Sequence, residues 1–165
     1  MHAQRCREAL GRRQYAQALA ECDAAVRLRP GIAESYLDRS AAYLGLNMPA
    51  EAEADADQAI RLDPLNFGAY NNRGLSFLQR GQAARAAGDF DQSLRLNPNH
   101  VNALRNRGFA YRTLGANEAA MADFDRVGTI GSSLPIGRPC RSSTRSCSAA
   151  PPSKGPMPDW PLPRG

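Results

Sequence analysis

The sequence predicts an all-α fold, a solenoid of antiparallel helix pairs. Pro30, Pro64 and Pro98 stand 34 residues apart. The segments between them, GIAESYLDRSAAYLGLNMPAEAEADADQAIRLDP and LNFGAYNNRGLSFLQRGQAARAAGDFDQSLRLNP, keep step residue by residue. Arginine returns on the same interval at Arg5, Arg39, Arg73 and Arg107. Within one copy, apolar and small residues recur at helical spacing twice, as Tyr36, Ser40, Tyr43 and Leu44 and then Ala52, Ala56, Ala59 and Ile60. Each unit is therefore a helical hairpin.

Taken in order, the chain reads as a clipped copy over 1–30, full copies over 31–64 and 65–98, and a fourth over 99–128, about three and a half in all. The two helices of a copy are separated where Gly81 and Gly115 fall, a place that suits a left-handed residue after a helix C-terminus. Asn47 fills that column in the second copy, and asparagine tolerates the same conformation. Pro49 fits the first turn of the following helix, where its missing N–H costs nothing. Pro64 and Pro98 end the second helices and turn the chain into the next copy.

These residues resemble the tetratricopeptide repeat family, whose 34-residue pattern is W-x2-L-G-x2-Y, then A-x3-F, then P. The third copy matches it with Tyr70, Arg73, Gly74, Phe77, Ala86, Phe90 and Pro98, and the fourth with Leu104, Arg107, Gly108, Tyr111, Ala120 and Phe124. The second gives Tyr36, Ser40, Tyr43, Ala52 and Pro64, with Ala56 in place of the aromatic. The resemblance covers residues 1–128 and implies a right-handed superhelical array that binds other proteins. Arginine stands where the family has leucine. A half-buried arginine needs a carboxylate, and Glu21, Asp55, Asp89 and Asp123 form a column that supplies one. Arg73 is expected to meet Asp55 or Asp89.

The formal net charge of +5 is unevenly placed. Residues 1–128 hold 16 Arg against 15 Asp plus Glu, and the tail adds Arg138, Arg141, Arg145, Lys154 and Arg164 against Asp159. A basic tail without interleaved aromatics reads as a solvated segment, which argues against nucleic acid as the partner. Eight of the 12 prolines lie beyond residue 130, among Ser, Arg and Gly, so 129–165 is expected to be a disordered tail. A true linker and a shifted reading frame near codon 127 explain this break equally well.

The start, MHAQRCREALGRRQ, has no apolar run of export-signal length, and no stretch approaches a membrane span, so the expected compartment is the cytoplasm. Cys6 and Cys22 share columns with core positions and read as packing residues of the first hairpin. Cys140 and Cys147, in CRSSTRSC, lack metal-ligand spacing and read as free thiols. Neither His2 nor His100 has a spaced partner for a triad or a metal site, and no phosphate loop occurs. No catalytic residue, metal or cofactor is expected.

Function then falls to the concave side, lined by the first helix of each copy. Asn71, Asn72, Gln79, Asn102, Arg105, Asn106 and Arg112 are the candidate peptide-binding residues, joined by Glu34, Leu37, Asp38, Ala41, Leu75 and Phe109. An amide both donates and accepts, so a row of asparagines can hold peptide backbone without reading its sequence. The resemblance extends to the asparagine ladder of the O-linked N-acetylglucosamine transferase, with Asn72 and Asn106 as rungs and Asp38 and Gln4 breaking it. Equally, these asparagines suit the plain polar face of a helix. The family's carboxylate clamp for chaperone tails would need cations where Leu37, Ala41 and Asn102 stand, so that mode is not expected. Met121, Phe124 and Val127 lie on a last helix with no successor in the pattern, a face suited to self-association or to cover by Trp160 and Leu162. An adaptor or scaffold for a protein or peptide partner is the leading reading. A nucleic-acid-associated protein working through the tail, or a fragment of a larger repeat-bearing enzyme or regulator, are the alternatives.

Overall fold

Among the described residues, eight helices pair off in chain order. The structure, a computed structural model, describes residues 1–131 of the 165. The pairs are α1 (His2–Gly11) with α2 (Tyr15–Leu28), α3 (Ala33–Gly45) with α4 (Pro49–Leu62), α5 (Phe67–Gln79) with α6 (Ala83–Leu96), and α7 (Val101–Thr113) with α8 (Asn117–Gly131). The last helix runs to Gly131, three residues past the boundary expected at 128. The rest of the expected tail, with Cys140, Cys147, Trp160 and Leu162, lies outside the described residues.

One turn closes every hairpin. Arg13, Asn47, Gly81 and Gly115, 34 residues apart, all adopt the left-handed conformation, with φ of 59°, 58°, 74° and 77°. The N–H groups of these four residues donate to the carbonyls of Leu10, Leu44, Leu78 and Arg112. The N–H groups one residue on reach back to Ala9, Tyr43, Phe77 and Tyr111, which satisfies carbonyls that the helix end would leave unpaired. Arg13 escapes a reading by residue type, but its column gives it away. Between copies, Asp63 and Asn97 accept from the N–H two residues on, at 3.1 and 3.2 Å, and stiffen the connecting turn.

Each helix packs on its chain neighbours, and the first helices also touch one another in the series α1, α3, α5, α7. Among the described residues, no second helix packs on another second helix. The array therefore curves toward its first helices, which form the inner face.

Inside each hairpin, packing is set by matched sizes. Gly74 faces Phe90 so closely that a methyl group on Gly74 would lie 2.7 Å from the Phe90 ring, and Gly108 faces Phe124 in the same way. The second copy fills that space with Ser40 and Ala56, both fully buried. In the first copy the pair is Cys6 and Cys22, also fully buried, so both pack the core as expected. They are joined there as a disulfide, Cα atoms 5.2 Å apart, which reading them as packing thiols did not foresee.

The arginine column forms a ladder. Arg73 grips Asp89 through Nε and Nη2, both at 2.7 Å, and reaches Asp57 of the preceding copy through Nη1 at 2.8 Å. Asp89 is thus the partner of the two expected, and Asp57 takes the place of Asp55. Arg39 repeats this with Asp55 and Asp23, and Arg107 with Asp123 and Asp91. Each guanidinium ties its own hairpin and stitches it to the one before. Paired hydrogen bonds to carboxylates hold all three arginines in their charged form more firmly than usual, against the opposing effect of burial. Arg5 does not join: Glu21, its expected partner, is taken by His2 at 2.7 Å.

At the far end, Met121 is 65% exposed. Phe124 meets Phe109 edge-on at 5.4 Å between ring centres, and Val127 packs with Ile130 against Leu94, Ala103 and Leu104. Two of the three residues expected to be uncovered thus already have apolar neighbours.

Candidate functional site

The inner face carries the candidate residues on α5 and α7, and hydrogen bonds join part of the set across three helices. Asn106 donates from Nδ2 to Asn71 Oδ1 at 3.0 Å, and Asn71 donates in turn to Asn72 Oδ1 at 3.4 Å. Asn72 donates to Ser40 Oγ at 2.7 Å and to the Leu37 carbonyl at 3.3 Å. Ser40 closes the run by donating to the same carbonyl at 2.7 Å. Asn71 is buried, and Asn72 and Asn106 are half-buried. This network locks α7 to α5 and α5 to α3. Ser40 belongs to it, a member that sequence reasoning placed only in the core.

The remaining candidates stay open. Gln79, Asn102, Arg105 and Arg112 are exposed. Gln79 touches the Leu44 carbonyl at 3.2 Å, and the Arg112 guanidinium lies over the Phe109 ring at 5.1 Å. Among the described residues neither Arg105 nor Arg112 meets a carboxylate. The α7 end of the inner face therefore offers amide and guanidinium donors beside an aromatic ring.

Asp38 holds the position one copy before Asn72, yet its surroundings cannot serve a carboxylate. The counterparts of Ser40 and Leu37 there are Cys6, which has no hydroxyl, and Ala3, whose carbonyl repels negative charge. Asp38 Oδ2 is buried without a hydrogen-bond partner, and the nearest cation, Arg7 Nη1, stands 3.8 Å away. Burial pushes the Asp38 carboxyl up to about 6, opposed by Arg7 and assisted by Glu34. A raised carboxyl stabilises the fold fully below the unfolded value near 4, and that contribution fades as pH rises through about 6. Asp38→Asn should remove this loss, since the amide can donate as Asn72 does. At neutral pH the variant is expected to be more stable by about 2 kcal/mol. Urea denaturation near pH 4 and near pH 7 checks this, and the gain should shrink at the lower pH.

His100 faces a serine, but not as a base would. Ser93 Oγ donates to the Phe67 carbonyl at 2.8 Å, so it accepts from His100 Nδ1 at 3.0 Å, which is the reverse of a nucleophile facing a base. Burial lowers the His100 pKa and keeps the ring neutral. Among the described residues, no group of three or more His, Cys, Asp or Glu side chains could hold a metal ion. Nor is any described helix long and apolar enough to cross a membrane.

The family model of the tetratricopeptide repeat (TPR) matches the chain over residues 5–67, 37–91 and 71–135. No curated protein matches it by sequence. Among solved structures, the TPR domain of Arabidopsis OM64 is similar at 27% identity and a TM-score of 0.64, with 67% of this chain and 92% of that one covered. MamA is similar in fold at 19% identity and a TM-score of 0.67, covering 79% of this chain and 76% of that one. The second TPR of Spaghetti (RPAP3), bound to the HSP90 peptide SRMEEVD, aligns at 26% identity and a TM-score of 0.57, covering 59% of this chain and 91% of that one.

Proposed function

The chain belongs to the tetratricopeptide repeat family, and from that premise we propose that it is a non-catalytic adaptor or scaffold that holds an extended segment of a partner protein along its inner face. The observation that carries this reading is the open row of Gln79, Asn102, Arg105 and Arg112 beside the fixed amide network. The network sets the spacing of the first helices, and the open residues meet the ligand. That a similar TPR domain, the second of Spaghetti, is bound to a peptide supports a peptide as the kind of partner. The ligand itself differs in this reading, because Leu37, Ala41 and Asn102 stand where a chaperone-tail clamp would need cations. The compartment proposed with this reading is the cytoplasm, and the Cys6–Cys22 disulfide, a bond that oxidising compartments favour, is the observation that stands against it.

The test starts from peptides selected for binding to the full chain. Asn102→Ala with Arg105→Ala should weaken the selected peptides by about tenfold or more, because both side chains are exposed and free to meet a ligand. The same double variant should unfold at the wild-type urea concentration. Unchanged affinity would move the site off the α7 end of this face.

A further inference from the structure

A cleft of about 360 Å³ opens between α1, α2 and α3, and Asp38 is on its lining. We propose that this cleft is a subsite for a lysine or arginine side chain of the bound segment, with Asp38 as the counter-charge; the proposal rests on the reading that the inner face holds a peptide. Two features set the chemistry. The Asp38 carboxylate is buried with Oδ2 lacking any hydrogen-bond donor, a state that is costly until a cation with N–H groups arrives. Leu28 and Ile32, exposed by 69% and 37%, and Ala3 supply an aliphatic wall along which a long stem can lie while its charged end reaches inward. About 12% of the Asp38 side chain stays exposed for that contact.

Three basic side chains on the lining, those of His2, Arg7 and Arg29, leave the place open. His2 is held by Glu21 at 2.7 Å, and Arg29 is exposed. Arg7, with 53% of its side chain in solvent, remains 3.8 Å from Asp38 Oδ2, beyond hydrogen-bond reach. Glu34 adds a second negative charge to the lining. One copy later, Asn72 has filled its needs with Ser40 and Leu37, so no such vacancy arises there.

Nuclear magnetic resonance titration of the full chain at neutral pH tests the subsite with n-butylammonium as the lysine mimic and n-butanol as its uncharged counterpart. Butylammonium should shift the Leu28 and Ile32 methyl signals and the Asp38 amide with a dissociation constant in the millimolar range, and butanol should not. Asp38→Asn, which keeps an amide of the kind Asn72 uses, should weaken the response about tenfold or more. Arg7→Ala should strengthen it about threefold, because a competing cation is gone. Equal shifts with butanol, no shift with butylammonium, or an undiminished response in Asp38→Asn would overturn the subsite. None of these results touches the α7 end of the face, which the Arg105 and Asn102 variant decides separately.

Discussion

Arg73→Ala should lower the unfolding free energy by about 3 kcal/mol, because it strands Asp89, which is only 7% exposed, next to Asp57 with no cation between them. The lower end of the range for buried pairs applies, since Asp57 keeps 39% of its side chain in water and can recover part of its hydration. Removing the stranded carboxylate as well, in Arg73→Ala with Asp89→Ala, should recover at least about 1 kcal/mol of that loss. Arg5→Ala is the control. It has the same residue type in the same column but no carboxylate, and should change stability by less than about 0.5 kcal/mol. Urea melts of the four chains check the set. Equal losses for Arg73→Ala and Arg5→Ala would mean that the ladder contributes nothing.

Phe90→Ala is expected to cost about 3–5 kcal/mol, since the ring is fully buried against Gly74 and its loss leaves a cavity in the core. The second copy shows how the same space is filled by a different pair, Ser40 with Ala56. Transplanting that pair, as Gly74→Ser with Phe90→Ala, should therefore be more stable than Phe90→Ala alone by about 1 kcal/mol. Gly74→Ser alone should be destabilising, because its Cβ would meet the ring at 2.7 Å. A double variant worse than both singles would show that the paired sizes do not act as a unit.

Most of the architecture could be read from spacing, because a repeat leaves its physical demands in columns. The positive-φ column predicts its own turn at Asn47, Gly81 and Gly115, and Arg13 follows from position alone. The arginine column called for carboxylates, and Asp55, Asp89 and Asp123 supply them. The second acidic column, Asp23, Asp57 and Asp91, returns at the same interval, but one carboxylate already answers the charge of the arginine, so the pattern does not mark the second as a partner.

The candidate site was less legible. Its residues lie on α5 and α7, yet residue type cannot tell an amide that faces a ligand from one bonded to its neighbour. Asn72 meets Ser40 and the Leu37 carbonyl, Asn71 meets Asn106, and Asn102 meets open solvent. Asp38 illustrates the same limit. Its column marks it as a broken rung, but the missing donor becomes visible only when Cys6 and Ala3 are seen in the places of Ser40 and Leu37.

Hydrogen exchange of the full chain, with and without a saturating selected peptide, tests the central claim most directly. Added protection on α3, α5 and α7, strongest near Asn102 and Arg105, is the predicted result. Protection confined to the outer helices α2, α4 and α6 would contradict it.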